Sequence, residues 1–275
     1  MPPISRILVP VDFSDRCLGL LPQAKAIASR YNAEITLLHV VNPVYTIPAA
    51  GPFGPVLVSI PPSVFTDAVK QLDLFGADQL GDVPVRRLVY EGDPVDQIVS
   101  FVHSEETQLV VIPTHGFGVL RRFLIGSVSA KVLHDVACPV LTGVHTEQRP
   151  DAKPVTFSKI LCAVDLGPES GRTLAWASQF AKDFHAQLEI VHALGLSSSG
   201  CEREELQKLQ DAVGAHADNV EFREGEAAKT VCSVAESIGA DLLVIGRGSH
   251  EDRAGRLRTN AYAIIRQSPC PVVSV

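Results

Sequence analysis

No two of the six cysteines stand in a CxxC arrangement, and none joins a histidine in a short cluster. Placed singly at Cys17, Cys138, Cys162, Cys201, Cys232 and Cys270, they suit reduced, buried thiols of a cytoplasmic protein better than a zinc site or a disulfide framework. A GxxxxGK[ST] phosphate loop, a G-x-S-x-G nucleophile elbow, a paired-carboxylate constellation and a metal cluster are all missing too. Positive charge is in short supply: 24 Lys and Arg face 31 Asp and Glu, a net −7 with a pI near 5.7. That balance argues against a nucleic-acid or anionic-membrane partner. The first residues, MPPISRILVPVD, lack the charged and apolar regions of a signal peptide and read as part of the fold. Residues 35–66 contain no Asp, Glu, Lys or Arg, yet Pro43, Pro48, Pro52, Pro55, Pro61 and Pro62 forbid a membrane-spanning helix there. Residues 43–62 are expected as a long, stiff surface loop.

What is present is a duplication. The chain has 275 residues, 46% of them hydrophobic, which suits two domains of ordinary size. ISRILVPVDFS (4–14) aligns with FSKILCAVDLG (157–167), and AEITLLHV (33–40) with AQLEIVHA (186–193), both at an offset of 153. Asp12 thereby faces Asp165, and His39 faces His192. VYEGDPVDQIV (89–99) aligns with FREGEAAKTVC (222–232) at 133, and ACPVL (137–141) with PCPVV (269–273) at 132. The drop locates an insertion of 20 residues in the Pro-rich stretch. The expected organisation is a domain at 1–145, a linker at 146–156 and a second domain at 157–275.

Within each half, short Val/Ile/Leu runs (5–10, 34–40, 85–90, 108–112 and 139–143 in the first) read as buried strands of a parallel sheet. Helical stripes lie between them: Cys17, Leu20, Ala24, Ile27 and Tyr31; Phe65, Ala68, Leu72 and Phe75; Val95, Ile98, Val99 and Val102. Asp93-Pro94 opens the third as a cap followed by proline at the first helical position. Such alternation predicts an open, doubly wound α/β sheet, with ligands beyond the strand C-termini where the strand order reverses.

One loop there is rich in exposed backbone: IPTHGFGVLRRFLIGSV, residues 112–128, with Gly116, Gly118 and Gly126 before Ser127 at a helix start. Bare N–H groups and a helix dipole favour an anion. Gly116, nine intervening residues and Gly126-Ser127, with PVD at 10–12, LLHV at 37–40 and EGDP at 91–94, resemble the nucleotide-binding branch of the universal stress protein family. The whole chain resembles a tandem two-domain member. The resemblance implies a five-stranded parallel sheet per domain, in order 3-2-1-4-5, with the last strands of the two copies pairing as an internal pseudo-dimer. Whether two chains associate further stays open. It also implies ATP as ligand, with Val40 and Ile112 flanking adenine and Asp12 near ribose and magnesium. Gly116, Gly126 and Ser127 would hold phosphates, the last with its hydroxyl near the metal. Pro10, Val11, Thr114, His115 and Val128 complete this candidate site. Its function would be regulatory, with at most slow ATP hydrolysis.

The chain departs from that family pattern at Pro113, which replaces the first glycine and brings no N–H. The second half keeps Gly246 but has Ser249 and Arg258-Thr259 at the later positions. It is expected as a structural or regulatory copy that does not bind ATP in the family manner. Plainer readings stand beside these. Asp12 and Asp165 serve equally well as helix caps, and His39 and His192 as packed core residues. The rival function is a scaffold or interaction protein that keeps the fold without the nucleotide.

Overall fold

The computed structural model describes residues 3–42, 44–47, 56–59, 61–115, 125–143, 155–195, 200–247 and 259–275. The first half runs β1 (Arg6–Pro10), α1 (Asp15–Tyr31), β2 (Glu34–Val41), β3 (Val44–Ile47), β4 (Val56–Ser59), α2 (Pro62–Leu74) and α3 (Ala77–Leu80). It continues with β5 (Val85–Glu91), α4 (Pro94–Ser104), β6 (Leu109–Pro113), α5 (Ser127–Asp135) and β7 (Val140–Gly143). The second half repeats the plan without the insertion. Its elements are β8 (Lys159–Ala163), α6 (Ser170–Phe184), β9 (Gln187–Leu194), α7 (Glu202–Val213) and β10 (Asn219–Glu224), then α8 (Ala227–Ile238), β11 (Leu242–Ile245), α9 (Thr259–Gln267) and β12 (Val272–Ser274).

Ten strands form one sheet in the order β10-β9-β8-β11-β12-β7-β6-β1-β2-β5. Each half is thus parallel with order 3-2-1-4-5. The seam between them is antiparallel: Val272 pairs with Thr142, Val273 with Leu141 and Ser274 with Val140. Each last strand would otherwise expose a row of unpaired backbone groups, and the seam removes both edges at once. The internal pseudo-dimer is therefore built into a single continuous sheet.

Local chemistry explains the elements. β1 and β6 are buried almost throughout, as strands covered on both faces must be. α1 starts where the Ser14 hydroxyl accepts from the Cys17 N–H, and stops at Asn32 in the left-handed region. Asp93 accepts from the N–H groups of Val95 and Asp96 at the head of α4, with Pro94 following, as the sequence predicts. One apolar layer joins α1 and α6 across both halves, including Leu20, Leu21, Trp176 and Phe180; a second, on the other face, joins α4, α5, α8 and α9. At the first layer's boundary the Tyr31 hydroxyl donates to Asp183 at 2.6 Å, and its ring meets Phe184 edge-on.

Two expectations for the elements of the first half change. Residues 44–47 and 56–59 are paired antiparallel strands rather than loop, because VYTI and VLVS are proline-free, β-branched runs and the prolines fall outside them. The rest of the insertion up to Ile60 lies outside the described residues. Phe65 does not join the core stripe of α2: it is 40% exposed, while Ala68 and Leu72 face inward. That helix packs on β5 and β2, the two strands at the sheet's end.

Candidate functional site

In the first half the strand order reverses between β1 and β6, and a crevice opens beyond their C-terminal ends, where ligands of such sheets bind. It is a cleft of about 310 Å³. Pro10, Val11, Asp12, Val40, Ile112, Gly126, Ser127 and Val128 line it, all of them among the sequence candidates. Leu38, His39, Pro94, Ile98, Pro113 and Ser129 line it as well and were not among them. Thr114 and His115 adjoin the cleft without lining it. Gly116 lies outside the described residues, as do Phe117, Gly118, Arg121 and Arg122.

Asp12 stands just past β1. One carboxylate oxygen accepts from the Ser14 N–H at 2.9 Å and the Ser14 hydroxyl at 2.6 Å, while Ser14 itself caps α1. Asp12 thus orients the cap instead of being it. The turn between them puts Phe13 at φ 62°, a conformation costly for a side chain with Cβ. Leu166 sits at φ 58° at the duplicated position. The strain is carried in both copies, each time beside the cleft carboxylate. Phe13 also packs on His39 at 4.4 Å between centroids. His39 Nδ1 lies 2.7 Å from the Val11 carbonyl oxygen, so that nitrogen carries the proton. His192 repeats this at 2.7 Å from the Val164 carbonyl. These histidines pin the strand-end loops.

On the opposite wall, Pro113 ends β6. Its carbonyl, not the missing N–H, takes part: it accepts from the Ser129 hydroxyl of α5 at 2.8 Å. The Gly126 N–H donates to the Thr114 carbonyl at 2.8 Å, fixing the start of α5 against the strand end. Among the described residues, no side chain caps α5. Gly126 has φ −60° and ψ 151°, open to any residue, and a Cβ there would meet nothing closer than 3.6 Å among the described residues. Neither backbone conformation nor packing requires glycine. Gly126, Ser127 and Val128 at the start of α5 line the cleft, and a helix N-terminus suits an anion.

Thr114 Oγ1 lies 2.9 Å from His115 Nδ1 and 3.3 Å from the Gly143 carbonyl. His115 Nε2 is buried and has no hydrogen-bond partner among the described residues. Burial, then the nearby Arg16 cation, hold the His115 pKa below the usual histidine value. The imidazole is neutral at pH 7.

A family model for the universal stress protein family matches this chain twice, at residues 3–142 and 156–275. The chain belongs to the universal stress protein family. It is 31% identical over 138 residues to a universal stress protein of Methanocaldococcus jannaschii, covering 50% of this chain and 79% of that one. It is 30% identical over 189 residues to a universal stress protein of Mycolicibacterium smegmatis, covering 68% of this chain and 63% of that protein's length. In fold it is similar to a universal stress protein from Archaeoglobus fulgidus, with a TM-score of 0.72 at 23% identity over 98% of this chain and 95% of the other.

The second universal stress protein domain has its own cleft, larger at about 360 Å³. Asp165 holds the same strand-end position, where one oxygen accepts from the Gly167 N–H at 3.0 Å and the Ser170 hydroxyl at 2.7 Å. It, too, organises a turn and does not cap α6. Gly246 ends the wall, but the next residue, Arg247, points away from this cleft. Its Nη1 donates to the carbonyls of Leu133 and Val136 at 3.0 and 2.7 Å, and its Nη2 to that of Cys138 at 2.6 Å. Ser249 and Arg258 lie outside the described residues. Arg247 escaped the sequence reading because its partners are backbone carbonyls 109 or more positions away, which leave no sequence signal. Pro94 and Ile98 had one: they open the helix after the third sheet strand, whose N-terminus points into the same crevice. No helix among the described residues is long and apolar enough to cross a membrane.

Proposed function

We propose that the first domain binds ATP in its cleft and that this universal stress protein acts as a cytoplasmic, nucleotide-responsive regulatory module. The observation that carries the reading is the start of α5 at Gly126 and Ser127, which no described side chain caps, lining an apolar cleft together with the Asp12 carboxylate on the facing loop. Val40 and Ile112 supply apolar walls for the base. Asp12 is placed for the ribose or a magnesium ion, and the α5 N–H groups with the Ser127 hydroxyl for phosphates. No group of three metal-ligating side chains occurs among the described residues. Magnesium would accordingly be held chiefly by the phosphates, with Asp12 beside it. Pro113 fits this arrangement because the strand end uses its carbonyl, so the phosphate end depends on Gly126. Binding would act by shifting a conformational or association equilibrium, with little chemistry.

Titration calorimetry of nucleotide-stripped protein with ATP and magnesium tests the reading. One site per chain in the micromolar range is expected in the wild type, and Gly126→Val should weaken it at least about tenfold, a loss of about 1.4 kcal/mol. Unchanged affinity in that variant would refute the placement. No binding in the wild type would favour the scaffold reading.

A further inference from the structure

We propose that Arg247 and Arg172 of the second domain are positioning residues for the first domain's cleft, so that this site depends on the other copy. The nucleotide part rests on the reading of the first cleft.

The element they act through is α5, nine residues long, whose Ser127, Val128 and Ser129 line the cleft. A helix this short is marginal by itself, so the ties at its ends set where it lies. At its start it is tied within its own domain. The Gly126 N–H donates to the Thr114 carbonyl and the Ser129 hydroxyl to the Pro113 carbonyl, both at 2.8 Å. At its exit the ties come from the second domain. Arg247 donates to the carbonyls of Leu133, Val136 and Cys138, and Arg172 Nη2 donates to the Ala137 carbonyl at 2.7 Å. Four carbonyls in and just past the last turn, where a helix lacks internal donors, thus receive guanidinium N–H groups. A planar fork fixes direction as well as distance. Held at both ends, α5 has its tilt and axial position set, and with them the place of Gly126 and Ser127.

The support runs one way. At the duplicated exit, after α9, the Ser268 hydroxyl donates to the Cys270 carbonyl at 2.7 Å and closes the turn inside its own domain. Val136 stands opposite Ser268 and has no side-chain donor, so the Cys138 carbonyl, counterpart of that of Cys270, takes Arg247 instead. The first-domain positions opposite Arg247 and Arg172 are Thr114 and Gly19. Thr114 Oγ1 donates to the Gly143 carbonyl of its own domain, and a glycine has no side chain to send across. Among the described residues these two positions return no bond over the boundary. Linkage makes the effect on binding reciprocal: ATP that favours this placement of α5 strengthens the second domain's hold on it.

Hydrogen exchange and ATP calorimetry on the full chain test this. Tyr31→Phe is the control, because it deletes a bond across the same boundary on the opposite face of the sheet. Arg247→Ala is expected to speed exchange of the Gly126 and Ala130 amides severalfold without nucleotide, and Tyr31→Phe to leave them unchanged. Arg247→Ala should weaken ATP at least about fivefold, with Arg247→Lys recovering part and Tyr31→Phe keeping wild-type affinity. Arg172 is exposed, so Arg172→Ala disturbs no core and should weaken ATP in the same direction, by about twofold. Thermal unfolding checks that each variant is folded at the assay temperature. Unchanged amides in Arg247→Ala, or an equal effect of Tyr31→Phe, would overturn the proposal. A wild type that binds no ATP, with these amides still opened by Arg247→Ala alone, would defeat only the first-cleft reading. ATP binding weakened by Gly126→Val but indifferent to both arginines would defeat only this one.

Discussion

Arg247 Nη2 donates to the carbonyl oxygen of Cys138 at 2.6 Å, across the boundary between the two domains. With its bonds to Leu133 and Val136, the guanidinium closes the C-terminal end of α5, whose N-terminal end faces the first cleft. A cation at a helix C-terminus also complements the dipole. Burial draws the Arg247 pKa down to about 10, so the charge persists at neutral pH. Arg247→Ala leaves three carbonyls without this donor and should cost about 2–3 kcal/mol of stability in urea unfolding. Arg247→Lys should recover only part, because an ammonium lacks the planar fork. A loss below about half a kcal/mol for Ala would mean that the contact does not fasten the domains.

The second fastening is Tyr31 to Asp183. Burial, then the carboxylate partner, push the phenol pKa well above its usual value, so the hydroxyl remains a donor over the accessible pH range. Tyr31→Phe keeps the ring contacts and deletes the bond. The expected cost is about 1.5–2 kcal/mol, since the acceptor is charged. Chemical denaturation of the two proteins side by side measures it.

His115 makes stability depend on pH. Its folded pKa is lowered, so below about pH 6.5 the unfolded chain binds a proton that the folded chain refuses. Stability from this group is therefore complete above that pH and declines as the pH falls through 6.5 toward the folded value. His115→Gln should flatten that part of the profile. A wild-type profile identical to that of the Gln variant between pH 7 and 5 would remove His115 from the account.

Thiol reactivity separates the cysteines. Cys17 and Cys162 are fully buried, and burial pushes both thiols up to about 12, with Asp12 adding to the effect at Cys17. Cys201 is exposed, contrary to the expectation that all six are buried. It should react with a disulfide reagent before the others, while Cys17 and Cys162 react only on unfolding. Early modification of either buried thiol would indicate local opening of α1 or β8.

Much of this architecture is legible in the chain itself. Strand and helix periodicity follow from which residues avoid water, and the paired offsets of 153 and 133 reveal two copies, because duplicated folding instructions stay readable wherever local pattern suffices. The sequence by itself also places Gly126-Ser127 at a helix start and Asp12 at a strand end, each from its own neighbours. Only the tertiary structure decides that these two face one cleft with Pro94 and Ile98, that Asp12 orients a cap instead of forming it, and that β7 and β12 join in one sheet. It alone shows Arg247 turned out of its own domain to bind three carbonyls of the other. These relationships link residues far apart in the chain through backbone atoms that every residue carries, so no residue type announces them. They exist once the sheet has closed and set the distances.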